Sequence, residues 1–301
     1  MITVLGASGN TGGQVVRRLR EAGEPVRAVG RDAARLAGAV AHGADPYVGD
    51  ASDPAVLSEA LRGADAAYVL MPLDLAAPGY RAQQERIGTA ITTALAHAGV
   101  PRVVALSSLG AEVPSGTGFL ETLHEQEQRL AALDAQVVRL RPGLFFESFL
   151  PALETMLASG VHHDTIDPEL ALPMVAAADV GDAAATALRD PAAVGVREVL
   201  GPEDLTVPDA VARLGAVLGR PGLRYERPPE DVVRTVLVEA GLPADITEEN
   251  LAMNAAFNRG VVRPLAGRGP ATASPTTLKD WASTLVPVLS ASASGPATAG
   301  G

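Results

Sequence analysis

The sequence predicts a doubly wound, parallel α/β sheet followed by a smaller, mainly helical substrate domain. Three observations carry this prediction. An apolar run at residues 2–5 ends in a glycine-rich turn, strand-like and helix-like segments alternate roughly every 25 residues as far as Gly143, and short helices punctuated by Pro and Gly take over from Pro208. Residues 2–5 read as a buried parallel strand, because a strand covered on both faces needs no polar alternation. A helix over 11–22 follows, stopped by Gly23, and strands are expected at 26–29 and 47–50. A helix over 54–62 leads to a strand at 66–71, ended by Pro72. A long helix over 81–98, closed by Gly99, feeds a strand at 102–106 that releases into Ser107 and Ser108. A charged helix over 119–133 precedes a strand at 136–140 and the turn Arg141-Pro142-Gly143. Beyond it, 145–158 reads as an apolar helix, 161–168 as a polar loop, 179–189 as a helix returning to the sheet and 196–200 as a late strand. The expected organisation is a nucleotide-binding domain from 1–143 and 174–204, a substrate-capping domain from 144–173 and 205–289, and a disordered tail over 290–301.

Composition narrows the function. At 47% hydrophobic and 20% charged, the chain can bury an ordinary core. A net charge of −11 without any basic run argues against nucleic acid and anionic membranes as partners, since phosphate backbones are held by clustered Lys and Arg. The chain has no Cys, which removes disulfides, thiolate chemistry and cysteine-held zinc. No apolar stretch reaches membrane-spanning length and Met1 stands directly ahead of a strand, so a cytoplasmic protein acting on a small molecule is expected. A homo-oligomer is compatible with the sequence and not specified by it.

The turn Gly6-Ala7-Ser8-Gly9-Asn10-Thr11-Gly12 follows a strand and opens a helix, the context a dinucleotide-binding turn requires. Gly6 permits the tight turn, Gly9 the approach of a diphosphate, and Gly12 close packing of helix on strand, while the helix N-terminus offers free N–H groups. Ser8, Asn10 and Thr11 add donors. Where an NAD site places a carboxylate at the end of the second strand, this chain has Gly30-Arg31-Asp32. A small residue followed by a guanidinium leaves room and charge for a 2′-phosphate, so NADP(H) is the expected cofactor. Asp32 either bonds a hydroxyl or caps the next helix. Asp50, with Ala51 beside it, is placed to meet the adenine edge or else to cap the coming helix. Met71 and Pro72 end the fourth strand near the nicotinamide ribose, and Ser107 and Pro142 end the fifth and sixth strands, where nicotinamide and substrate are expected.

The acid/base equipment is sparse. Lys279 is the single lysine, so none of Tyr47, Tyr68, Tyr80 and Tyr225 has a lysine four positions on, and the Tyr-x-x-x-Lys pair of most short-chain dehydrogenases is excluded. His124, on the helix before the sixth strand, is the imidazole expected to act, oriented by Glu127 three residues along, with Ser107 or Ser108 as a second polar contact. His162-His163-Asp164 lacks further clustered ligands and reads as loop, so no metal is expected.

Taken together, residues 6–12, Val26-Arg-Ala-Val-Gly-Arg31, Gly49-Asp50, Leu106-Ser-Ser108, Leu140-Arg-Pro-Gly143 with Phe145-Phe146, Gly201-Pro-Glu-Asp-Leu-Thr206 and Pro275-Thr-Thr-Leu-Lys-Asp-Trp281 resemble the NmrA-like atypical short-chain dehydrogenases. The resemblance implies a Rossmann domain plus a small C-terminal domain with the active site between them. It also implies an activity among NADPH-dependent quinone, enone, imine and phenylpropanoid-ether reductases, or a regulator that binds the dinucleotide without turnover. Several reductases of the family keep a lysine near position 124; His124 with Glu127 is similar instead to a His-containing branch akin to quinone reductases and azoreductase-like proteins. The expected function is NADPH-dependent reduction of a small conjugated or aromatic substrate. A redox sensor and a redox-neutral isomerase or cyclase are the alternatives.

Overall fold

The computed structural model describes residues 1–287. The expected tail over 290–301 and the last residues of the expected cap lie outside them. Ile2–Leu5 (β1) is buried at all four positions and lies inside the sheet, between Val26–Gly30 (β2) and Ala66–Val69 (β4). The remaining strands, Asp45–Val48 (β3), Arg102–Leu106 (β5), Gln136–Pro142 (β6) and Gly195–Val199 (β10), complete a seven-stranded sheet in the order β10-β6-β5-β4-β1-β2-β3. Every pairing in it is parallel. This is the doubly wound Rossmann sheet that the apolar runs predict, with the strand order reversing between β1 and β4.

Asn10–Glu21 (α1) and Ala177–Arg189 (α7) pack against each other over one face of the sheet. Gly181 makes that approach possible, since a Cβ there would lie 2.6 Å from Gln14 Cβ. Pro54–Leu61 (α3) and Tyr80–Ala98 (α4) cover the other face and share a core of Leu57, Leu61, Ile87, Ile91 and Leu95. Ala37–Ala41 (α2) and Leu120–Ala131 (α5) complete the helices of this half. The third strand begins two residues earlier than expected and contains Pro46, which a sheet edge tolerates because one side of the strand needs no donor.

After Gly143 the local pattern misleads. The expected helix over 145–158 is a short strand Leu144–Phe145 (β7), a 3-10 turn over Phe146–Ala152 containing Pro151, and only then Leu153–Ser159 (α6). Proline removes a helical donor and clashes one turn back, so a continuous helix cannot form across it. The expected loop over 161–168 starts as a strand, Val161–His163 (β8), paired in parallel with Arg224–Glu226 (β12) some sixty residues along the chain. Leu172–Val175 (β9) pairs with β7 and with Asp204–Leu205 (β11) in a small sheet that the sequence analysis did not anticipate. Val207–Val217 (α8), Glu230–Glu239 (α9), Ala244–Asn258 (α10) and Leu278–Ser283 (α11) follow. A second core gathers here, with Phe146, Phe149, Met156, Met174, Leu214, Phe257 and Trp281 among its members. Asp245, at the head of α10, accepts hydrogen bonds from Gly79 N (2.8 Å) and Tyr80 N (2.9 Å), fastening this region to the start of α4.

Candidate active site

The carboxyl ends of β1, β2 and β4 enclose a cleft of about 320 Å³. Leu5, Gly6, Ser8 and Gly9 form its floor, Arg31, Arg35, Asp50, Ala51 and Ser52 one wall, and Leu70, Pro72, Leu73, Asp74, Gln83, Arg86 and Ile87 the other. The floor is sterically specified. Gly6 has φ +65°, a left-handed conformation that favours glycine, and a Cβ on Gly12 would come within 2.2 Å of the Gly6 carbonyl oxygen. The first donor inside α1 is Gly13 N, bonded to Gly9 O at 2.8 Å, which leaves the N–H groups of Asn10, Thr11 and Gly12 at the helix head.

Of the residues expected to hold a dinucleotide, Gly6, Ser8, Gly9, Arg31, Asp50, Ala51 and Pro72 line this cleft. Asn10, Thr11 and Gly12 stand at the head of α1 directly after Gly9 and do not themselves line the cleft. The buried Thr11 hydroxyl accepts a hydrogen bond from Tyr68 OH (2.9 Å), which ties the head of α1 to β4. Two ambiguities resolve. Asp32 Oδ1 accepts from Ala34 N (2.8 Å) and caps the next turn. Asp50 does not cap the following helix; Asp53 does, accepting from Ala55 N and Val56 N, while Asp50 Oδ1 accepts from Ser52 N (2.9 Å). Met71 packs into the α3–α4 core beside Pro72 rather than lining the cleft.

Three features fit a bound dinucleotide: two suit its phosphates, and one, an unpaired carbonyl acceptor, suits a ribose hydroxyl or the adenine amine. Arg31, Arg35 and Arg86 line the cleft without a hydrogen-bond or ion-pair partner among the described residues. The buried Gln83 Oε1 has no donor. The head of α1, with its free N–H groups, begins directly after Gly9 of the floor. Arg35, Gln83 and Arg86 escape the sequence analysis. Gln83, Arg86 and Ile87 have the spacing of one helical face, but nothing local says which way that face points.

The other half of the expected site is built differently. Ser107 and Pro142 stand at the carboxyl ends of β5 and β6, joined by backbone bonds from Ser107 N to Leu140 O (2.7 Å) and from Leu109 N to Pro142 O (3.1 Å), and neither lines the cleft. Ser107 Oγ donates to Glu127 Oε1 at 2.6 Å. Arg141 grips the same carboxylate with Nε (2.9 Å) and Nη2 (2.7 Å), and its Nη1 reaches Glu112 Oε2 at 2.7 Å. Ser107, Glu127 and Arg141 are all buried. The expected pairing of Glu127 with His124 is therefore wrong, because the buried guanidinium and Ser107 occupy the carboxylate. His124 is oriented instead by the Ala111 carbonyl, 2.8 Å from Nδ1. A carbonyl oxygen only accepts, so Nδ1 carries the proton and Nε2 is left without a partner among the described residues. The Arg141–Glu112 contact was not foreseen either.

Three of the four tyrosine hydroxyls are committed to structure, and Tyr47 stands on the edge strand β3. Tyr68 OH is fully buried on Thr11, and its acidity is suppressed by burial. Tyr80 OH lies 2.9 Å from Thr122 Oγ1, with burial pushing its pKa up to about 12. Tyr225 OH donates to the carbonyls of Asp164 (2.9 Å) and Ile166 (2.5 Å). Lys279 is exposed on α11. His162 is buried edge-on to Phe149, and burial drives its pKa down to about 4. A second hollow, of about 350 Å³, lies between Thr165, Arg227 and Asn258. Its polar groups are satisfied, Arg227 by Asp167 (3.2 Å) and Asn258 Nδ2 by Thr165 O (2.9 Å), so nothing there calls for a ligand.

Comparison with known proteins agrees with this geometry. The model of the NmrA-like family matches residues 1–281. The chain is 34% identical over 251 residues to a (4-alkanoyl-5-oxo-2,5-dihydrofuran-3-yl)methyl phosphate reductase of Streptomyces griseus subsp. griseus, covering 82% of this chain and 84% of that one. It is 29% identical over 268 residues to an NAD(P)H azoreductase of Xenophilus azovorans, covering 89% and 90%. Among solved structures it is similar to an NADPH-dependent quinone oxidoreductase of Escherichia coli complexed with NADPH, at 24% identity and TM-score 0.78, covering 95% of this chain and 99% of that one. The chain belongs to the NmrA-like family.

Proposed function

We propose that this protein is a reductase that uses NADPH to reduce a small conjugated or aromatic electrophile of the quinone, enone or imine class. The curated relatives are named as an NAD(P)H azoreductase, a reductase and a dehydrogenase, which makes the chain an oxidoreductase. The name of the 34% identical relative describes an oxo-dihydrofuran carrying an alkanoyl group, a conjugated electrophile. Residues 6–12 and Arg31 hold the cofactor, and the segments 144–173 and 205–287 cap the substrate. NADPH, when bound, supplies the hydride.

One observation carries the substrate class: the Ser107 proton is given to the buried Glu127 carboxylate, and the tyrosine hydroxyls of Tyr68, Tyr80 and Tyr225 are spent elsewhere. A simple ketone builds a localised alkoxide that needs a strong positioned donor. Quinones, enones and iminium ions spread or already neutralise that charge, so orientation suffices for most of the barrier. His124, held at Nδ1 by the Ala111 carbonyl rather than by a carboxylate, is assigned the substrate contact through Nε2, which accepts a hydrogen bond in the neutral ring and donates a proton only as the imidazolium. NADPH oxidation measured across a panel of quinones, enones, imines and simple ketones tests the reading. Turnover should be confined to the first three, and His124→Ala should lower kcat by roughly 10²- to 10⁴-fold while leaving NADPH affinity unchanged. Tight NADPH binding with no turnover anywhere in the panel would sink the reductase reading in favour of a dinucleotide sensor.

A further inference from the structure

The cleft concentrates positive charge in an acidic protein. The chain carries a net charge of −11, yet the ionisable side chains lining the cleft are three arginines, Arg31, Arg35 and Arg86, against two aspartates, Asp50 and Asp74. Each aspartate already turns an oxygen onto its own backbone, to Ser52 N at 2.9 Å and Ala76 N at 3.0 Å. None of the three guanidinia has a protein partner among the described residues. Elsewhere Arg81 bonds Glu121 and Glu249, and Arg234 bonds Glu230 and Glu248. Arg139, Arg220 and Arg263 also lack a side-chain partner among the described residues, but the cleft brings three such arginines to line one space.

Topology separates these cations. Arg31 and Arg35 follow β2, whereas Arg86 belongs to α4, which follows β4, and β1 with its glycine turn lies between those strands. Arg86 thus enters the cleft from the wall opposite Arg31 and Arg35, and Gln83 and Ile87 share its helical face. An unpaired guanidinium keeps its charge at all relevant pH and presents a planar fork matched to phosphate oxygens.

We propose that Arg86 is a phosphate contact of the bound dinucleotide, made from α4 across the Gly6–Gly12 turn, so that the cofactor is gripped from both walls. This rests on NADP(H) being the cofactor. The phosphate is either the diphosphate or the 2′-phosphate, and ligand truncation distinguishes them.

Titration calorimetry on the full chain, wild type and Arg86→Ala, with NADPH, NADH, ADP and 2′,5′-ADP supplies the test. Loss of one charge-assisted phosphate contact should weaken NADPH by about 10- to 150-fold, with Arg86→Lys falling between the two. An equal loss for NADPH, NADH and ADP assigns the diphosphate, and a loss confined to NADPH and 2′,5′-ADP assigns the 2′-phosphate. Arg86 is exposed, so the ligand-free variant should melt with the wild type. Affinities within about twofold of wild type for all four ligands would overturn the proposal while leaving the cofactor assignment intact. A wild type that binds none of them would overturn both.

Discussion

The two halves of the site differ in what their charges are bonded to. In the cleft, Arg31, Arg35, Arg86 and the Gln83 oxygen stand without protein partners among the described residues. At the ends of β5 and β6, Ser107, Glu127, Arg141 and Glu112 close on one another, with each bond between 2.6 and 2.9 Å. Unsatisfied groups in a cleft wait for a ligand, whereas buried groups that satisfy one another specify the fold. The cleft thus holds open polar groups, whereas the ends of β5 and β6 are closed on themselves.

The comparison is broken most severely at Glu127. Removing its carboxylate leaves Arg141 buried against Glu112 alone, and breaking a buried pair costs about 3–5 kcal/mol. Glu127→Ala should lower the unfolding free energy read from urea denaturation by that amount, and Glu127→Gln, which keeps an acceptor for Ser107 and Arg141, should recover part of it. A Glu127→Ala variant of wild-type stability would show that the network is not what holds β5 and β6 together.

His162 sharpens the comparison, because its Nδ1 is also buried without a partner yet lines no cleft. It is packed between Phe149 and Tyr225 as a neutral ring, with its pKa lowered by burial from about 6.5 to about 4. The unfolded chain takes up the proton first, so the stability this site contributes is complete above about pH 6.5 and is lost as pH falls toward 4. Between pH 7 and 4.5 the loss amounts to about 2–3 kcal/mol. The neighbouring Asp164 carboxyl, pushed up by burial, works in the opposite sense, so the single variant His162→Phe isolates the histidine. Denaturation midpoints at the two pH values should differ less in His162→Phe than in wild type; an equal difference would mean that the ring is not buried neutral.

The smallest expected effect falls on the open half. Arg31→Ala should weaken NADPH by about 10- to 150-fold and NADH hardly at all, without changing the melting temperature of the free protein. Titration of both dinucleotides reads this directly. If NADPH is not preferred by the wild type, or the preference survives the substitution, Arg31 is not the 2′-phosphate reader.

The first half of the chain was legible because its determinants are local. Residues 2–5 declare a buried strand by being apolar throughout, and Gly6 and Gly12 are required by a positive φ and by a 2.2 Å approach, both set within seven residues of sequence. The site residues that follow strand ends, Arg31, Asp50 and Pro72, were legible for the same reason, since a parallel sheet sends every strand end to one edge. What failed depended on partners distant in sequence. His162 sits in a strand only because 224–226 arrives beside it, Leu172–Val175 is a strand only between β7 and β11, and Pro151 broke a helix that its apolar neighbours suggested. The helix before the sixth strand was correctly placed, and a three-residue spacing correctly put His124 and Glu127 near one face. Which neighbour each would bond was decided by tertiary structure, when β6 brought Arg141 under Glu127 and the loop after β5 brought Ala111 to His124. Arg86 shows the same division: the sequence by itself determined that it is a helical arginine, and only the packing of α4 beside β1 turned it into the cleft. Backbone conformation and strand polarity are settled by neighbouring residues, whereas a charge takes its role from whatever the fold brings within about 3 Å of it.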